Sequence, residues 1–177
     1  AMTVLEVVFL LIGKMPLFDA LTITFGTAGT GGFGIKNDSM AGYSPYLQIV
    51  VTVFMILFGV NFSAYFLLLR RKVKQAFSME EVRWYLLIIL ASIALITLSV
   101  RGMYGSVGEA ARHAAFQVGS IITTTGYAST DFNLWPEVPR TILVLLMFIG
   151  ACAGSTGGGI KVSRLVILVK TIKKELH

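Results

Sequence analysis

Residues 45–69, PYLQIVVTVFMILFGVNFSAYFLLL, carry no charged side chain across 25 positions and are closed by RRKVK. About 20 apolar residues suffice for a helix to cross a ~30 Å hydrocarbon core. The run is therefore expected to span a bilayer with some tilt. Tyr43 and Tyr46 at one end and Tyr65 near the other suit the aromatic belts of the two interfaces. Soluble domains carry about a quarter charged residues. Here 14% of the 177 residues are charged and 55% are hydrophobic, which leaves too little polar surface for a water-facing globule.

Two further apolar runs follow. Trp84 to Val100 is uncharged over 17 residues and reads as a second span, and Thr141 to Ile160 is a third. Ser78 and Glu81 stand at capping-box spacing ahead of the second. The shorter run at residues 4–13, VLEVVFLLIG, includes Glu6 and reads as the tail of a longer helix, so the chain is expected to begin within an element. The net charge of +6 is segregated at the ends of the greasy runs. Arg70, Arg71, Lys72, Lys74, Arg83, Lys161, Arg164, Lys170, Lys173 and Lys174, ten of the fifteen basic residues, fall on what is then the cytoplasmic side. Nucleic-acid binding would need a continuous basic face, which twenty-residue apolar runs interrupt. Cys152 is the single cysteine, so no internal disulfide forms, and it reads as a small packing residue.

Irregular backbone interrupts these runs at 26–34, 122–126 and 150–159, where glycine and threonine cluster. Lipid cannot satisfy exposed amides, so broken backbone at membrane depth must line a protein-walled or watery path. The first two breaks resemble each other. With Gly32 over Gly126, 94 residues on, TGGF aligns with TTGY, an acid follows (Asp38 or Asp131), and a proline then opens an apolar run (Pro45 or Pro136). A short helical segment precedes each, LFDALTI in one and EAARHAAFQVGS in the other. The expected architecture is an all-α membrane protein made of helix–pore-loop–helix repeats with re-entrant half-helices. The repeats divide at 1–77, which lacks most of its first helix, and 78–177.

The residue types suggest the chemistry. A cation leaving water needs replacement oxygens, and extended backbone supplies carbonyls without a buried fixed charge. Glycine allows the required conformations, and threonine adds a hydroxyl that faces the pore or the scaffold. Asp38 and Asp131 either concentrate cations at an outer mouth or form turns. In GACAGSTGGGI, five glycines in eleven residues oppose a regular helix, although Gly154 and Gly158 also fit a helix-packing face. His113 and Glu109 could hold a metal or relay a proton, but with no second histidine nearby a solvated or paired role is preferred. Asn61 within the apolar run needs a buried partner and reads as interhelical glue. The stretch from Gly29 to Gly34 formally fits a dinucleotide fingerprint without its strand and helix, and Ile160 stands where a phosphate loop needs lysine. No Ser/His/Asp or Cys/His set is present, so no enzyme is expected.

GGFGIKNDSMAGY, FMILFGVNFSAYF and the long block TTTGYASTDFNLWPEVPRTILVLLMFIGACAGSTGGGIKVSR resemble the Trk/Ktr family of potassium-uptake proteins over nearly the whole chain. The resemblance implies a single pore ringed by four repeats, of which the second and third are present. It makes Gly32 and Gly126 the key filter glycines, with Thr30, Gly31, Thr123, Thr124 and Thr125 supplying filter carbonyls. It makes Gly150, Gly154, Ser155, Thr156, Gly157, Gly158 and Gly159, with Lys161 at the cytoplasmic end, an intramembrane gate loop that breaks a helix. It further implies potassium as transported substrate with no covalent cofactor, a multi-pass place in the bacterial inner membrane, and a cytoplasmic nucleotide-binding regulatory subunit. Two filter strands cannot ring an ion, so the other repeats come from a longer chain or from a second copy in a homodimer. A sodium-permeable transporter and a non-conducting membrane scaffold are the competing readings.

Overall fold

A computed structural model describes residues 1–175, which form nine α-helices joined by turns and one isolated parallel bridge. In chain order these are α1 (Met2–Ile12), α2 (Leu17–Ala28), α3 (Pro45–Phe58), α4 (Phe62–Leu69), α5 (Val73–Ser78), α6 (Glu80–Val100), α7 (Val107–Ile122), α8 (Glu137–Phe148) and α9 (Val162–Glu175). Caps explain several boundaries. Ser44 accepts from Leu47 N with Pro45 in the first turn of α3, and Ser106 accepts from Glu109 N at the start of α7.

Two apolar clusters hold the helices. One runs through α4–α9 around Tyr85, Ile89, Ile96 and Ile122. The other packs α1–α3 around Leu10, Ile23, Val51 and Met55, and takes in Phe116 and Tyr127 from the second half of the chain. The outward side chains are also apolar, including Leu90 and Leu98 on α6 and Leu145 and Phe148 on α8. Such a surface suits lipid or further protein better than water.

The uncharged run 45–69 is not the straight span its composition suggests. It breaks at Gly59–Asn61, and α3 and α4 meet at 93°. Among the described residues, Glu80–Met103 alone is long and apolar enough to cross a membrane, and the bent pair passes only if it counts as one span. The break has local causes. Tyr85 Oη donates to Ile56 O (3.1 Å) and Tyr65 Oη to Leu57 O (2.6 Å), taking carbonyls from the last turn of α3. Tyr65 is thus turned inward, not toward an interface belt. Asn61 then caps α4 by accepting from Ser63 N (2.8 Å). The Ser78–Glu81 capping box does not form either: Ser78 closes α5, and Met79 precedes α6 with no side-chain cap.

Gly59 lets the elbow close. A Cβ there would run into Tyr85 Oη and lie 2.9 Å from Thr123 Cγ2. A Cβ on Gly102 would meet nothing within 4 Å. Gly59→Ala is expected to destabilise by about 1–3 kcal/mol through overpacking, with Gly102→Ala near neutral. Thermal melting of the native protein in lipid nanodiscs reads the difference.

Candidate ion pathway

The half-helices α2 and α7 end in the same turn. In the first, Gly29 N donates to Phe25 O, Thr30 N to Thr27 O and Gly31 N to Gly26 O; in the second, Thr123 N donates to Gly119 O, Thr124 N to Ile121 O and Thr125 N to Ser120 O. Every one of these donors and acceptors is offset by 94 residues. This is the Schellman pattern, which normally places glycine in the left-handed position. Here that position holds threonine twice, Thr30 at φ +50° and Thr124 at φ +57°. Two residues on, Gly32 and Gly126 also have positive φ, at +65° and +94°.

The two turns converge. A Cβ on Gly32 would strike the Thr125 carbonyl oxygen, so backbone approaches backbone where only glycine fits, and one on Gly26 would strike the Tyr127 side chain at Oη. Tyr127 Oη donates to Ile23 O (3.2 Å), Met40 N to Ala128 O (2.9 Å) and Ala128 N to Ser39 Oγ (3.2 Å), tying each strand to the other's scaffold. The carbonyl ends of α2 and α7 both lead into these turns, and a helix C-terminus carries partial negative charge.

Not every threonine hydroxyl can serve an ion. Thr123 Oγ1 donates to Gly119 O (2.7 Å) and lies 2.7 Å from Thr125 Oγ1, both groups being buried in the scaffold. The hydroxyls of Thr30 and Thr124 instead reach residues 149–161, the segment between α8 and α9. Thr30 Oγ1 donates to Thr156 O (3.2 Å), and Gly158 N donates to Thr124 Oγ1 (2.7 Å).

That segment is an ordered loop and not a helix-packing face. Ile149 and Ile160 pair as a parallel bridge, and Gly150 N donates to Ile160 O (2.8 Å). A Cβ on Gly150 would enter the Gly158 carbonyl, so the neck of the loop closes only on glycine. Gly154 (φ +72°), at mid-loop, and Gly159 (φ +73°), near its end, take left-handed conformations. Ser155 Oγ donates to Cys152 O (2.6 Å), and Lys161 Nζ donates to Gly157 O. Gly157 lies under the second turn, where a Cβ would come 3.0 Å from Thr123 O.

The remaining singled-out residues fall elsewhere. Asp131 Oδ1 accepts from Asn133 N (3.0 Å) and Nδ2 (2.9 Å), the turn-forming role; Asp38 is exposed beside Gly42. Tyr43 donates to Asp19 Oδ2 (2.8 Å) at the start of α2; burial, then this carboxylate, pushes the phenol up to about 12, so it stays a donor at neutral pH. His113 Nδ1 lies 3.0 Å from Ser129 Oγ and its ring stacks on Tyr104, so it is paired within the fold. Asn61 Nδ2 donates to Glu81 Oε2 (3.3 Å). Glu81 is the polar residue that sequence reasoning misassigned: its partners include Ala153 N and Ser163 N, 72 and 82 positions away.

Re-entrant half-helices ending in paired threonine–glycine turns, with a broken helix folded beneath them, are the build of a membrane cation transporter. The chain belongs to the family described as TrkH, cation transport protein, whose model matches residues 4–177. It is 35% identical over 167 residues to the Trk system potassium uptake protein TrkH of Salmonella typhimurium, covering 92% of this chain and 34% of that protein. The Trk system potassium uptake protein TrkG of Escherichia coli K12 is 36% identical over the same shares. The crystal structure of the potassium transporter TrkH from Vibrio parahaemolyticus superposes with a TM-score of 0.93 at 31% identity, over 99% of this chain and 39% of that one. The chain thus spans about a third of the length of the curated relatives it matches.

Gly32 and Gly126 should respond differently to a side chain. Gly126→Ala meets open space and is expected to lose only the roughly 1–2 kcal/mol of left-handed strain. Gly32→Ala adds a collision with the Thr125 carbonyl and is expected to lose more than about 2 kcal/mol. Paired melting curves of the two variants check the order.

Proposed function

We propose that this chain supplies two of the four repeats, 1–77 and 78–177, of a gated potassium-uptake pore in a bacterial inner membrane. The observation that carries this reading is that both left-handed threonines, at matching places in the two turns, bond to one glycine-rich loop. The backbone of Thr30–Gly32 and Thr123–Gly126 offers carbonyls to a dehydrating cation, and the converging C-terminal ends of α2 and α7 favour positive charge there. The loop from Gly150 to Gly159 lies across the same path as the gate. Lys161, held on the Gly157 carbonyl, adds a fixed cation that opposes passage of another while the loop is in place.

The activity of the longer relatives, named as potassium uptake proteins, supports this substrate. The other two repeats, a second copy as homodimer partner and a nucleotide-binding regulatory subunit complete the proposed assembly. Exposed Asp38, and Asp131 beyond its turn, would gather cations at the outer mouth.

Rubidium uptake into liposomes carrying the native protein, with potassium or sodium as competitor, tests the reading. Potassium is expected to compete and sodium not, and Gly126→Ser to reduce that preference by about tenfold, or ~1.4 kcal/mol. Unchanged selectivity in Gly126→Ser would favour the scaffold reading. Thr124→Gly separates gate from fold. It removes left-handed strain, so the melting temperature is expected to hold or rise, while resting rubidium influx rises because Gly158 N has lost its partner.

A further inference from the structure

Glu81 stands in the first turn of α6, just ahead of an uncharged span, and is half-buried. Its carboxylate gathers donors from three elements. Oε1 accepts from Ala153 N (2.5 Å) in the glycine-rich loop and from Ser163 N (3.2 Å) in the first turn of α9. Oε2 accepts from Asn61 Nδ2 (3.3 Å), the residue that caps α4 at the elbow. The N–H groups of a first helical turn have no partner inside their helix, and an anion there also meets the positive end of the dipole. Glu81 therefore caps α9 from another helix while holding the loop's backbone. Its neighbour Glu80 faces outward and pairs with Lys170 on α9 (2.5 Å), so it grips the same helix without reaching the loop.

The contact lies within a backbone seam between elbow and loop. Cys152 N donates to Gly59 O (3.0 Å), and Phe62 N donates to Gly154 O (3.2 Å). Both bonds involve groups freed where helices are broken. A charged acceptor shared by two amides and an amide side chain is the strongest link in that seam, because charge-assisted bonds are about twice as strong as neutral ones.

We propose that Glu81 is a positioning residue that pins the glycine-rich loop to the elbow between α3 and α4, so the loop leaves its place only when the carboxylate releases Ala153. That this displacement opens the pore rests on the gate reading above; that Glu81 holds the loop does not. Cys152 reports the position directly, since it is fully buried beside Ala153.

The test is the rate of N-ethylmaleimide alkylation at Cys152, quantified by peptide mass spectrometry on the native protein in nanodiscs, for Glu81→Ala and Glu81→Gln. Glu81→Gln keeps the size and the Oε1 acceptor but loses the charge and sets an amide donor against Asn61. It is expected to raise the rate by about tenfold, the equivalent of one net hydrogen bond, with a melting temperature within a few degrees of the wild type and potassium-over-sodium competition unchanged. Glu81→Ala is expected to raise it further; should that variant fail to assemble, Glu81→Gln decides alone. Alkylation no faster than in the wild type overturns the proposal. So does faster alkylation accompanied by a much larger drop in melting temperature and lost ion preference, which would mark general loosening. Faster alkylation with rubidium influx unchanged supports the pinning role and removes the gate reading.

Discussion

Backbone amides at membrane depth have no water to turn to, and the rest of this structure follows from how the chain meets that demand. Four stretches that leave the helical ladder lean on one another: the two threonine turns, the Gly59–Asn61 elbow and the loop at 149–161. Each satisfies groups that another has freed. The elbow's Gly59 carbonyl takes the Cys152 amide, Gly154 O takes the Phe62 amide, and the loop's Gly158 amide is taken by Thr124. Broken segments are therefore grouped together, because separately each would face hydrocarbon unsatisfied. Among side chains of the described residues the demand is met less fully: both carboxylate oxygens of Glu6 and the hydroxyls of Thr24 and Thr97 are among the buried atoms without partners.

The threonines at φ +50° and +57° show how local strain and distant contact are balanced. A β-branched residue in the left-handed region is an outlier, and glycine would hold either turn at lower energy. Threonine instead brings a hydroxyl to a place where glycine has nothing. In both turns that hydroxyl reaches the same loop, once as donor and once as acceptor. Strain that recurs 94 residues apart and ends on one target is better explained by the contact than by chance packing.

The fold class was legible in the sequence because its signals are local: uncharged runs with basic ends, and glycine–threonine clusters that cannot continue a helix. The pairing of the two turns was legible for the same reason, since a left-handed turn restricts residue type at fixed offsets. The 93° elbow was not. One glycine and one asparagine in an apolar run are compatible with a straight helix, and the tyrosines that take the α3 carbonyls come from residues 65 and 85. Glu81 was misread for a related reason. Three residues after a serine it fits a local cap, and nothing nearby in the chain points to amides at 153 and 163. Which threonine hydroxyls face the scaffold was equally hidden, because Thr123, Thr124 and Thr125 are alike in type and differ only in what the fold sets beside them.

Gly32 and Gly126 occupy equivalent positions yet answer to different constraints. Gly32 is enclosed by the opposite turn, so both its conformation and its lack of a side chain matter, whereas Gly126 faces open space. The apolar outer faces of α6 and α8 pose the same question at larger scale, since lipid and further protein are the surroundings that suit them.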